Sequence, residues 1–105
     1  SNATLHWILD AAAAASTLAA AVRPGGRLVV EFGGEGNVEV LTTALRTAIG
    51  EVTGHRPAPF WYFPSLAAYA ALLERHGFAV AYATLFERPT PLAGGFDGLG
   101  AWYRE

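Results

Sequence analysis

The chain opens its first periodic segment at Asp10, a residue suited to cap a helix. The spacing predicts a helix from there to about Val22, with Leu18 and Val22 stacked at i, i+4 on its inner side. Arg23 suits the negative end of that helix, and Pro24-Gly25-Gly26 stops it. Arg27–Gly33 then reads as a strand: Leu28-Val29-Val30 is a continuous apolar run, interrupted by Glu31 and resumed at Phe32. Runs of this kind suit strands covered on both faces. Gly33-Gly34-Glu35-Gly36 is a loop, and Asn37 is positioned to cap a helix. In that helix Val38, Leu41, Leu45, Ala48 and Ile49 keep helical spacing, and Gly50 is expected to end it.

His55–Pro64, with three prolines and the run Phe60-Trp61-Tyr62-Phe63, reads as an ordered loop. Ser65 caps a further helix with Leu66, Tyr69, Leu72 and Leu73 inward, closed by His76-Gly77. Phe78–Phe86 is the second expected strand, with Phe78, Val80 and Tyr82 to one side and Ala79, Ala81 and Ala83 to the other. Arg88–Gly95 reads as loop and Phe96–Glu105 as the start of a helix. The alternation of helices with strands predicts an α/β fold, helices over a parallel-type sheet, in a single unit spanning 1–105.

Composition narrows the function. At 105 residues, 52% hydrophobic and 15% charged, the chain has room for one small domain and is too apolar for disorder. The net charge is −2, with seven dispersed Arg and no Lys, so no basic face is expected to follow a phosphate backbone. Without Cys there is neither a disulfide framework nor a thiolate metal site, a composition compatible with the cytoplasm. The Ala11–Ala15 stretch is too short to span a bilayer and has no basic leader, so no membrane role is expected.

The chemistry-bearing residues are few. Gly34-Glu35-Gly36 follows an expected strand and opens a helix, as a dinucleotide loop does. The third glycine of that pattern would fall on Glu39, however, and a carboxylate in the first turn disfavours phosphate. A nicotinamide-dependent enzyme therefore has only the generic alternation behind it. His6, His55 and His76 have no metal-ligand spacing. His76 reads as helix C-terminal chemistry, and His55 is a weak candidate general base. Trp61, Tyr62 and Phe63 read either as a substrate wall or as packing beneath a long loop.

Four segments, in order, resemble the later half of class I S-adenosylmethionine-dependent methyltransferases of the trans-aconitate methyltransferase-like group. Ser1-Asn2-Ala3-Thr4-Leu5-His6-Trp7 is similar to the family's S-N-A-x-L-H-W at the end of strand four. Ser1-Asn2-Ala3 is equally a common scar of tag cleavage, and both readings stay open. Arg23-Pro24-Gly25-Gly26-Arg27-Leu28 resembles the turn into strand five. Phe63-Pro64-Ser65, with Tyr69, Leu72, Leu73 and His76-Gly77-Phe78, resembles the helix and entry of strand six. Asp97-Gly98-Leu99 with Trp102 resembles the segment near the final helix.

The resemblance implies a partial Rossmann-like fold, a C-terminal portion with about two strands and three to four helices that lacks the N-terminal cofactor-binding half. It implies a parent enzyme that moves a methyl group from S-adenosylmethionine to a small acceptor, in a portion expected neither to hold that cofactor tightly nor to turn over alone. Asn2 would touch the donor, and His6 or Trp7 would line the acceptor pocket, with His6 a weak catalytic candidate. The family's strand order, 3-2-1-4-5-7-6, leaves the counterparts of strands five and six without their shared neighbour. A homodimer or swapped assembly is accordingly expected. The alternative is a non-catalytic interaction or dimerisation module built on a half-sheet.

Overall fold

A computed structural model describes residues 1–104. A 3-10 turn at Leu5–Trp7 leads into α1 (Ala11–Ala21). Two further helices, α2 (Glu39–Thr53) and α3 (Leu66–Arg75), follow, and a second 3-10 turn at Gly95–Gly98 runs into the single turn of α4 (Leu99–Trp102).

Helices α1 and α3 form where local chemistry dictates. The Asp10 side chain accepts from the Ala13 N–H, and Ser65 accepts from the Ala68 N–H, so each satisfies a donor that the first helical turn leaves orphaned. His76 and Gly77, the latter at φ 89°, close α3 as expected. Helix α2 departs from expectation at both ends. Two tight turns, Gly34 O to Asn37 N–H and Gly36 O to Glu39 N–H, carry Val38 into the left-handed region at φ 44°. The helix therefore starts after Val38, and Asn37 does not cap it. Gly50 stays inside α2, because a glycine in a helix interior costs only about 1 kcal/mol. Gly54, at φ 74° with its N–H on the Gly50 carbonyl, ends the helix instead.

The layered α/β fold expected from the alternation, and with it the partial Rossmann-like sheet, is not formed. Burial alternates as in β conformation along the first expected strand and over the start of the second, whose residues 81–86 are all exposed. Leu28, Val30 and Phe32 turn inward and Val29 outward; Phe78 and Val80 turn inward, while Tyr82 lies 83% exposed. What fails is lateral pairing. Among the described residues, no backbone–backbone hydrogen bond involves residues 79–91. A strand is defined by its neighbour as much as by its own dihedral angles. The first expected strand is paired only briefly, with the N-terminus: Ser1 N donates to Val29 O, Glu31 N to Ser1 O and Ala3 N to Glu31 O, a short parallel ladder around the Asn2–Glu31 bridge. An exposed ion pair, Arg88 to Glu31, ties the second extended segment to the first and contributes little at such exposure.

The core is correspondingly small. Leu5, Ala15, Tyr69, Leu72 and Leu73 are buried, with α1 packed on α3 and Leu18, Leu28, Val30, Phe32, Tyr62, Phe78 and Val80 around them. Leu66, expected inward, lies 43% exposed. Only one face of the extended segments is covered, not two, which leaves Val29 78% exposed. The shape agrees. The radius of gyration is 16.4 Å, against about 13 Å for a compact chain of this length. The accessible surface is 7813 Å², against roughly 5,700 Å² for a folded chain of 11.1 kDa. Among the described residues no helix is long and apolar enough to cross a membrane.

With so few buried side chains, stability should concentrate in them. Leu72→Ala should lower the unfolding free energy by about 2–3 kcal/mol, read as a fall in the urea midpoint. Val29→Ala should stay within about 0.5 kcal/mol of the parent.

Candidate functional site

The sequence holds His6 in a 3-10 turn just beyond the parallel ladder, and three segments meet on this residue. Its backbone carbonyl accepts from the Tyr62 N–H at 2.8 Å, which fastens the aromatic loop. Its ring Nδ1 accepts from the Gly33 N–H at 3.1 Å, which fastens the end of the first extended segment. The absence of a side chain at Gly33 leaves room for its neighbours beside this contact. A Cβ there would collide with the Asn37 amide and stand 2.6 Å from the Phe63 ring.

Aromatic rings gather around this junction. The His6 ring lies 5.5 Å from Trp7 and 5.6 Å from Phe63, tilted to both. Trp61 meets Trp7 edge-on at 5.6 Å, stacks over Phe63 at 6.0 Å and reaches Trp102 of α4 at 6.4 Å. Alternation along the loop divides the three rings singled out in the sequence. Trp61 and Phe63 join the wall beside His6 and Trp7, whereas Tyr62 turns to the core and packs near Tyr69. Burial, and then the adjacent Tyr62, raise the Tyr69 phenol above its ordinary pKa.

On the α2 side of the wall, Thr42, Arg46, Pro59, Phe60, Trp61 and Phe63 line a cavity of about 100 Å³. Arg46 also borders a shallow depression of about 250 Å³ with Arg56 and Glu51, and its Nε donates to the Pro57 carbonyl. The Tyr103 hydroxyl donates to the Leu41 carbonyl and docks the C-terminal turn on α2.

The remaining candidates lie apart. Asn2 is exposed in the parallel ladder, its carbonyl taken by the Thr4 hydroxyl. His55 is exposed beyond α2, with Nδ1 3.1 Å from the Thr53 carbonyl, and takes no part in the aromatic wall. His76 Nδ1 faces the Leu72 carbonyl at 2.8 Å, a helix-terminal contact. Among the described residues no group of three or more His, Asp or Glu is disposed to hold a metal ion. Sequence reasoning named His6, Trp7, Trp61 and Phe63 separately but missed Gly33, Arg46 and Asn37. The glycine at the end of an apolar run was the available signal of close backbone approach.

Neither the known protein families nor the curated proteins yield a match to this sequence.

Burial lowers the His6 pKa from its ordinary 6.5. In the interval below 6.5 the unfolded chain then binds more protons than the folded one, so stability falls as pH drops through that interval. Urea unfolding at pH 7.5 and pH 5.5 should show this loss, and His6→Gln should reduce it. An equal loss in the variant would assign the effect to other groups.

Proposed function

We propose that this chain supplies the acceptor-binding side of an S-adenosylmethionine-dependent methyltransferase acting on a small molecule, and that it does not turn over by itself. One observation carries the reading: an aromatic wall with a single hydrogen-bonding imidazole stands on a chain that leaves roughly 2,000 Å² more surface uncovered than its mass requires. Ligand sites are mostly apolar walls with a few convergent polar groups, and this is such a wall, open on one side. The ordered resemblance of four segments supplies the chemistry that the wall would serve. Methyl transfer is an in-line displacement, so holding the acceptor in position accounts for much of the rate.

The two best-formed depressions, about 250 Å³ and 100 Å³, are smaller than the roughly 300–1,000 Å³ typical of ligand pockets, so neither fits S-adenosylmethionine by itself. Asn2, which the resemblance sets against the donor, borders neither. Calorimetric titration of the 105-residue chain with S-adenosylmethionine should give no saturable heat at micromolar concentrations. The reading frame upstream of Ser1 should encode a strand and a glycine-rich turn. Saturable micromolar binding by the chain alone would defeat the proposal, as would an upstream frame without those features.

A second reading, a non-catalytic association module, is favoured by a different observation. Residues 79–91 make no backbone–backbone hydrogen bond among the described residues, and Tyr82, Leu85 and Phe86 lie exposed along them. Unpaired extended backbone with apolar side chains is a template for another strand. Light scattering on the purified chain should give twice the monomer mass, and Tyr82→Lys should shift it toward monomer. A monodisperse monomer at tens of micromolar would remove this reading.

A further inference from the structure

We propose that His6 is a fixed hydrogen-bond donor that presents its Nε2–H, from within the aromatic wall, to the oxygen of a neutral, planar carbonyl compound. The inference concerns this chain's own site and stands independently of the methyl-transfer reading.

The Gly33 amide fixes the tautomer of the His6 ring. A backbone N–H can only donate, so the Nδ1 atom it meets at 3.1 Å carries a lone pair. The neutral ring must then hold its proton on Nε2. The other two histidines have the opposite arrangement. Nδ1 of His76 faces the Leu72 carbonyl and Nδ1 of His55 faces the Thr53 carbonyl. A carbonyl can only accept, so in both rings Nδ1 carries the proton.

Nε2 of His6 is available. It makes no hydrogen bond among the described residues, yet no buried side-chain nitrogen or oxygen lacks a partner there. The atom is therefore within reach of solvent or a ligand. The ring cannot serve as a base in this state, because Nε2 is already protonated and Nδ1 is occupied. That turns the weak catalytic candidate of the sequence into a positioning group.

The surroundings select the ligand. Trp7 and Phe63 flank the imidazole, and Trp61 touches both, so a flat apolar body fits the wall. Arg46 lines the cavity on the α2 side of the wall, which His6 does not border, and its Nε donates to the Pro57 carbonyl. A carboxylate beside His6 would be desolvated against rings, whereas a neutral carbonyl oxygen needs only the one donor.

Long-range ¹H–¹⁵N spectra of the labelled chain at pH 8 test the first half. His6 should appear as the Nε2–H tautomer, with His55 and His76 biased to Nδ1–H in the same spectrum. A His6 ring protonated on Nδ1 would overturn the proposal without any variant. Titration with acetophenone, isopropylbenzene and benzoate tests the second half. Acetophenone should shift the His6 Nε2 signal and the Trp7 and Trp61 indole signals. Isopropylbenzene should bind about fivefold more weakly, for want of one hydrogen bond. His6→Phe should abolish that discrimination, and His6→Gln, which keeps an acceptor and a donor, should retain part of it. Equal binding of the two neutral probes, preference for benzoate, or no response to any of the three would each reject the assignment.

Discussion

The arrangement depends on one residue accepting two backbone hydrogen bonds. The carbonyl of His6 takes the Tyr62 N–H, and its ring takes the Gly33 N–H. Through these bonds a short turn near the N-terminus locates both the end of the first extended segment and the aromatic loop. Neither segment lies in a helix, and the parallel ladder reaches only Val29 and Glu31 of the first. The helices cannot substitute, because α2 contributes no buried residue and the shared core belongs to α1 and α3. Gly33 completes the junction by leaving room for Phe63 where a methyl group would stand.

What the sequence made legible was local. Asp10, Ser65 and His76-Gly77 announce helix ends through bonds that span three or four residues, and those ends are found where the letters put them. Val38 could not be anticipated in the same way. Its left-handed backbone is imposed by two overlapping turns, against the preference of a β-branched residue. The strands show the sharper limit. Apolar alternation specifies an extended conformation and which side chains turn inward, and Leu28, Val30, Phe32, Phe78 and Val80 obey it. It does not specify a neighbour: the first segment pairs only with Ser1–Ala3, and residues 79–91 make no backbone–backbone hydrogen bond among the described residues.

The site divides along the same line. The rings were visible as letters, and so was His6. Their grouping was not, because it rests on which partner the Gly33 amide finds, and the letters mark only the glycine itself. Tyr62 shows how narrow the margin is. It sits between two wall residues and belongs to the core, since successive residues of an extended loop point to opposite sides. His55, adjacent to the loop in sequence, is held away by its own contacts with Thr53.

The parallel ladder at the N-terminus has a practical corollary. Ser1 N donates to Val29 O as a main-chain group would, in step with the two bonds that follow. A peptide nitrogen at that position could make the same bond without an ammonium charge. Fusions or affinity handles joined ahead of Ser1 would thus enter alongside Arg27 and Leu28, lengthening the pairing and altering the properties under measurement.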